Sequence, residues 1–394
     1  MALADPVPWT FFAGGEYSEQ LDSRTDILRA ATGPEQRIKL RTEPHVQLTF
    51  DGLAEGDERR WLENLLNANG DGRWWVPWPM EAQALAAPLA SGASAISVDT
   101  RWRHFAAGGQ ALLLGATPRS WELVQIDALD DDSLILVDPT AAAWPAGTVV
   151  VPVFLARLVD MLEIPRFTGE AGAYQAKFRA DEAIAWPADV GSVAYRDQPV
   201  LSIPLEWSAD PLDVPERERV AVDNGLALPF VADPVGQPRN RIHVNCTVQG
   251  LQAAAALRSL LYALSGCWGS IWVPSLAQDF RVVTNVVNGA TALDVAWSGF
   301  STAPLAQNRR DIRITLYNGT SHYRRITAAT ALSGTTERLT LDSAIVAGFA
   351  AADVAQVAFL QLCRQEADVN LLRWWTADVV RTALEFRGEA RHGL

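Results

Sequence analysis

Lysine is nearly missing from this chain of 394 residues: of its 33 basic side chains only Lys39 and Lys177 are lysine, and the rest are arginine. Cysteine is almost as scarce. Cys246, Cys267 and Cys363 all fall in the second half without a C-x-x-C spacing, which excludes a disulfide scaffold or zinc ribbon and predicts buried, reduced thiols. No run of about 18 apolar residues occurs, and Met1 to Pro8 carries an acid instead of a basic, then apolar, leader. A soluble protein made inside the cell, without membrane insertion, is expected. Positive charge is also short, with a net of -13 and a pI near 4.9. That balance argues against a sequence-specific DNA binder, which presents a basic face. The five histidines, His45, His104, His243, His322 and His392, show no H-E-x-x-H or H-x-H spacing and are expected on the surface or in the core. No P-loop, G-x-G-x-x-G or G-x-S-x-G stands between a strand and a helix. Catalytic residues, cofactors and metals are therefore none in this reading.

What is present is apolar and aromatic. The chain is 49% hydrophobic and 20% charged, with 15 tryptophans, enough to build two or three globular domains. Arginine and tryptophan in excess suit surfaces where proteins pack on proteins. The acidity is uneven. Up to Asp197 there are sixteen basic and twenty-eight acidic side chains, a net of -12, and the remainder holds seventeen and eighteen, a net of -1.

Short stretches recur in order at separations of about 190 to 208 residues. Glu16-Tyr17-Ser18 returns as Glu206-Trp207-Ser208, and Arg37-Ile38-Lys39-Leu40 as Arg241-Ile242-His243-Val244. Leu62-Glu63-Asn64-Leu65-Leu66 returns as Leu257-Arg258-Ser259-Leu260-Leu261, and Trp75-Val76-Pro77 as Trp272-Val273-Pro274. Gly92 to Ile96 matches Gly289 to Leu293, Phe154-Leu155 matches Phe359-Leu360, and Phe178-Arg179 matches Phe386-Arg387. Preserved order across the whole chain points to a duplication, with one unit at residues 1–190 and a second at 191–394.

Each unit reads the same way. A strand pair, Arg37 to Phe50 or Arg241 to Val248, has Ile38, Leu40, Val46, Leu48 and Phe50 alternating with polar neighbours. A helix follows from about Glu55 to Asn69, with Asp57 and Glu58 in its first turn and Asn69-Gly70 as its stop; in the second copy Gly266 is the stop. A Trp-x-Pro strand comes next. Short apolar runs between Gly, Asp and Pro clusters then predict a small inserted β-barrel or sandwich, at about 88–158 and again at about 285–362. A last strand, Tyr174 to Arg179 or Arg381 to Arg387, closes the unit. The expected class is mainly β (α+β), with two tandem units that each hold an antiparallel β core, one helix and an inserted β module.

Candidate sites are few. Trp74, Trp75 and Trp78 form a cluster suited to core packing, a subunit interface or ring stacking on a ligand. Because Trp75 recurs as Trp272, packing is favoured, and Trp74 and Trp78 are kept as interface candidates. Trp374 and Trp375 lack a counterpart and are candidates for an interface of the second unit alone. Asp130-Asp131-Asp132 lacks the alternating acids and distal ligand of a calcium loop and reads as a turn. An acid pair for glycoside hydrolysis is not distinguishable among 46 acids.

The order of strand pair, leucine-rich helix, Trp-x-Pro strand, inserted barrel and closing strand resembles the distal-tail and hub proteins of long-tailed bacteriophage baseplates. The stretches carrying the likeness are Gly14-Gly15-Glu16-Tyr17-Ser18, Trp75-Val76-Pro77 and Trp144-Pro145-Ala146-Gly147-Thr148-Val149. The resemblance implies tail-tube-like folds, two packed antiparallel sheets flanked by a helix, whose copies ring the DNA channel of the virion. It implies a structural protein without catalysis, assembled in the host cytoplasm, with other tail proteins as partners and DNA passing through unbound. Two units per chain let a trimer match six-fold symmetry, with a hexamer as the other option. The alternative is a virion-borne or secreted carbohydrate-binding protein that recognises a cell-surface glycan through its inserted barrels and exposed tryptophans.

Overall fold

The computed structural model describes residues 6–12, 16–69, 72–203, 205–207, 210–226, 228–302 and 309–389. Met1 to Asp5, Gly14, Gly15, Gly70, Ser208 and His392, on which parts of the sequence reading fall, lie outside them. The chain is mainly β, with about half of its residues in strands and two α-helices among the described residues.

The first half opens with β1 (Val7–Pro8) and β2 (Tyr17–Asp22), then the hairpin β3 (Thr25–Arg29) and β4 (Glu35–Lys39). The long strand β5 (His45–Glu55) leads into α1 (Gly56–Asn69), whose first turn carries Asp57 and Glu58 where the helix dipole favours acids. The strand β6 (Trp74–Pro77) follows, then a short β7 (Gln83–Ala84). β8 (Ala95–Ser97), β9 (Gln110–Leu114), β10 (Trp121–Asp130) and β11 (Ser133–Leu136) form the inserted module. β12 (Val149–Leu158) carries the chain back, and β13 (Ala171–Ala180) ends the half.

The second half begins with the pair β14 (Ala194–Tyr195) and β15 (Gln198–Pro199), then β16 (Leu212–Glu216) and the hairpin β17 (Val220–Val222) and β18 (Phe230–Ala232). β19 (Arg239–Gln249) leads into α2 (Leu251–Leu264), an alanine- and leucine-rich stretch of high helix propensity. Ser265 and Gly266 then turn left-handed and stop it, with the Ser265 N–H donating to the Leu261 carbonyl. β20 (Ser270–Pro274), β21 (Ala290–Ala296), β22 (Asp311–Leu316), β23 (Ser321–Ala331), β24 (Thr336–Ile345) and β25 (Val354–Gln365) come next, and β26 (Val369–Thr376) and β27 (Val379–Gly388) close the chain.

The pairings run in the same order in both halves. In the first, β2 pairs β5, β5 pairs β13, β13 pairs β12, and β12 also pairs β6 and β9. In the second, β16 pairs β19, β19 pairs β27, β27 pairs β25, and β25 also pairs β20 and β22. The inserted modules follow suit, as β9–β10–β11–β8 and β22–β23–β24–β21. β26 has no counterpart among the strands of the first half. It folds back on β27 and pairs β2 from Tyr17 opposite Trp374 to Asp22 opposite Val369. An antiparallel sheet therefore runs unbroken through β13, β5, β2, β26, β27, β19 and β16.

Alternation explains the layers. On β13, Tyr174, Ala176 and Phe178 are buried while Gln175 and Arg179 are exposed; on β5, Val46, Leu48 and Phe50 are buried. Trp9 sits among them, with its ring centroid 4.9 Å from Phe178, 5.7 Å from Trp74 and 5.9 Å from Tyr174, mostly edge to face. Residues of both halves share this cluster, whereas each inserted module has its own: Leu113, Ile126, Leu134 and Val150 in one, Leu293, Ile314, Ile326 and Leu339 in the other.

One part of the expected strand pair is different. Arg37 to Leu40 does not join Val46 to Phe50 in the core; it belongs to the separate β3–β4 hairpin, with Ile38 and Leu40 exposed. The alternation there is real, but the hairpin lies across the second half and is held by its polar face. Arg241 to Val244 lies instead in β19, a core strand placed like β5.

Candidate functional site

The most elaborate constellation of charged groups lies along the seam between the halves. On β2, Glu19 and Leu21 point inward, and Glu19 is completely buried. Arg258 rises from α2 to meet it, with Nε donating to Oε1 and Nη2 to Oε2, both at 2.8 Å. Such a parallel fork is the strong form of arginine–carboxylate contact. Arg258 Nη1 reaches Glu81 Oε1 at 3.4 Å, and Glu81 is bonded to His104 through Nδ1 at 2.7 Å and through the backbone N–H at 2.6 Å. The indole of Trp374 on β26 donates to Glu19 at 3.3 Å.

Aromatic faces enclose the guanidinium. It lies 4.5 Å from the ring centroid of Trp186, 5.6 Å from Trp78 and 5.9 Å from Trp374. The His104 ring stacks on Trp78 at 3.8 Å. Burial opposes the charge on Arg258, but Glu19 and then Glu81 outweigh it and hold the group firmly protonated. For Glu81 burial also opposes charge, and His104 and Arg258 more than offset it, keeping the carboxyl below its usual range. Burial lowers the basicity of His104, so the neutral ring donates its Nδ1–H to Glu81. Glu81 and His104 resemble an acid–histidine dyad; Glu81 is fully buried, and His104, stacked on Trp78, borders a pocket of about 710 Å³ that Ser259 also lines, its hydroxyl accepting from the Trp186 indole at 3.0 Å. Their work is to brace Arg258.

A second set of bonds fastens the β3–β4 hairpin. Glu35 accepts from Arg364 Nε at 2.8 Å and Arg239 Nη1 at 3.1 Å, and Arg239 also donates to the Gly33 carbonyl at the hairpin turn. Burial works against the Glu35 charge, but the two arginines prevail and lower its pKa. Arg37 donates to Ser270 Oγ at 2.9 Å and to Glu389 at 2.8 Å. Asp368 accepts from the Thr25 N–H at 2.7 Å and its hydroxyl at 2.9 Å, and from the Cys267 N–H at 2.9 Å.

Of the tryptophans singled out in sequence, Trp74, Trp78 and Trp374 are all buried within the chain. Trp74 packs in the shared core, whereas Trp78 and Trp374 stand at the seam, so they serve an interface between halves of one chain. Neither Trp74 nor Trp78 is exposed for a sugar or base to stack on. Trp375 is exposed, as are Trp102, Trp207, Trp268 and Trp297, and the Arg381 guanidinium lies 5.8 Å from its ring. Asp130 to Asp132 make the β10–β11 turn, where their carbonyls accept from Val98 and Thr100. Among the described residues no three of His, Cys, Asp and Glu are grouped to hold a metal ion, and no helix is long and apolar enough to cross a membrane. The three cysteines are buried and unbridged, and burial raises Cys246 and Cys267 to about 12.

Glu19, Arg258, Glu35, Arg239, Arg364 and Asp368 were not singled out by the sequence. Only Arg258 left a signal there. It is the one charged residue in the mostly apolar α2, which calls for a buried counter-charge.

No protein-family model matches the chain, and no curated protein matches it.

Proposed function

We propose that this chain is a ring-forming structural subunit built from two tandem tail-tube-like units, acting at the distal tail or baseplate of a long-tailed bacteriophage. The observation that carries the reading is the common order of pairings in the two halves and their fusion into one sheet through β2 and β26. Two like units joined head to tail in a heterologous manner generate a ring when the rotation closes. Three chains then supply six units and match a six-fold tube. The seam supports the same reading, because its charges are buried and consumed in holding the units at a fixed angle. The acidic first half supports a lumen that repels DNA phosphates, and no catalytic role is assigned.

Native mass spectrometry and electron microscopy of the purified protein test this. Three-chain particles with a central pore are expected; particles without a pore would contradict it.

A further inference from the structure

The seam inside the chain has a vacant counterpart at each end of it. Registers define the correspondence. Phe178 faces Leu48 across β13 and β5 as Phe386 faces Ile242 across β27 and β19. Asp22 faces His45 as Glu216 faces Arg239, so β16 stands where β2 stands, and the β17–β18 hairpin follows it as β3–β4 follows β2. Leu158 faces Phe178 as Gln365 faces Phe386, which sets Leu162-Glu163-Ile164-Pro165-Arg166-Phe167 in the place of Val369 to Trp374.

In the internal seam, β2 is covered on one edge by β5 and on the other by β26. β16 is covered by β19 only; among the described residues no strand pairs its other edge. Among the described residues the segment 162–167, the counterpart of β26, likewise pairs no strand like β2. A groove of about 690 Å³ lies between it and α1, lined by Glu63, Leu66, Leu158, Met161, Ile164 and Arg166. In the second half the corresponding face of α2 is filled by Glu19 and Ser23, which reach Arg258 and Gly266.

Both vacant surfaces expose apolar side chains. Met161 is 94% exposed and Phe167 69%, while Val220, Val222, Phe230 and Val231 are exposed on the β17–β18 hairpin. Arg157 and Arg179 face each other across β12 and β13 as Arg364 and Arg387 do across β25 and β27, the site where the second half receives Glu35, and Arg157 here pairs with Asp181. Asp213 stands in the place of Glu19 and would meet Glu63 with its two partners Arg59 and Arg166 where the seam has Arg258. Asp223 is the acid in the turn of the free hairpin.

We infer that β16 and the β17–β18 hairpin of one copy clasp the α1 groove and the 162–167 segment of a second copy, repeating between chains the contact that joins the halves within one. This rests on the ring reading above and names its surface. Val214 is expected opposite Ile164, as Gln20 is opposite Leu371. Pro165 and Pro215 each lack a donor, so the ladder is thinner than that of β2 with β26 and the hairpin carries more of the contact.

The test pairs cross-linking with disruption. A full-length chain carrying Val214→Cys and Ile164→Cys, oxidised in its assembled state, should run as a covalently closed trimer on a non-reducing denaturing gel, and neither single variant should cross-link. Phe167→Glu and Val222→Glu, both at exposed positions, should each shift the native mass to one chain while far-UV circular dichroism is unchanged. A wild-type ring that persists in both Glu variants, with no 214–164 cross-link, would overturn this surface and leave the ring standing. Wild-type protein that is a single chain at all concentrations would overturn both.

Discussion

Removing the Arg258 side chain would leave Glu19 and Glu81 in a site closed to water with their main counter-charge gone. Breaking a buried pair in this way costs about 3–5 kcal/mol. Arg258→Met is expected to lower the denaturant midpoint accordingly, and Glu19→Leu in the same chain should recover part of the loss, because the orphaned charge is then removed too. The same cluster sets a pH dependence. His104 is less basic in the folded chain than in the unfolded one, where it titrates near about 6.5, so the unfolded state binds more protons as pH falls below that value. Its contribution is full above the unfolded value and lost on the way down to the folded one. Glu81 and Glu35 are held below their ordinary values, so their contributions are full above the carboxylate range and lost as pH falls through their folded values. All three signs agree that acid loosens the seam. Thermal unfolding at pH 7, 6 and 5 should show a falling midpoint, and His104→Gln should flatten the slope over that interval. An unchanged slope would count against a neutral buried His104.

Among the elements, β5 and β13 depend on close approach as well as alternation. A side chain at Gly52 would meet the ring of Tyr174 at 2.3 Å, and that ring is fixed by its hydroxyl, which donates to the Phe11 carbonyl at 3.1 Å. Gly52→Ala is therefore expected to cost about 1–3 kcal/mol, the range for overpacking, read by chemical denaturation. At this scale much of the fold was legible. The apolar runs Ala111 to Leu114 and Leu134 to Leu136 fall on β9 and β11, the leucine-rich stretches fall on α1 and α2, and Gly266 follows the end of α2. Alternation reports which strands bury a face but not what they bury it against. That is why Ile38 and Leu40, alternating as a core strand does, belong to a hairpin on the surface of the other half. The role of β26 was hidden for a related reason. Its pairing with β2 joins residues some 350 positions apart, and only tertiary structure brings Glu19 to Trp374 and Arg258.

Across the whole molecule, one hydrophobic cluster holds residues of both halves, and the inserted modules keep separate cores. The two halves are expected to unfold in a single transition, while amides of β8 to β11 and β21 to β24 exchange with solvent on their own timescale; hydrogen exchange by mass spectrometry would separate the two groups. The net charge of -13 belongs almost wholly to the first half, so in a ring it would recur at every second unit. Three chains, each with two like units, are proposed above to close into a ring of six. The mass of the assembled, full-length protein under native conditions should be that of three chains, and a single-chain mass at every concentration would refute the ring.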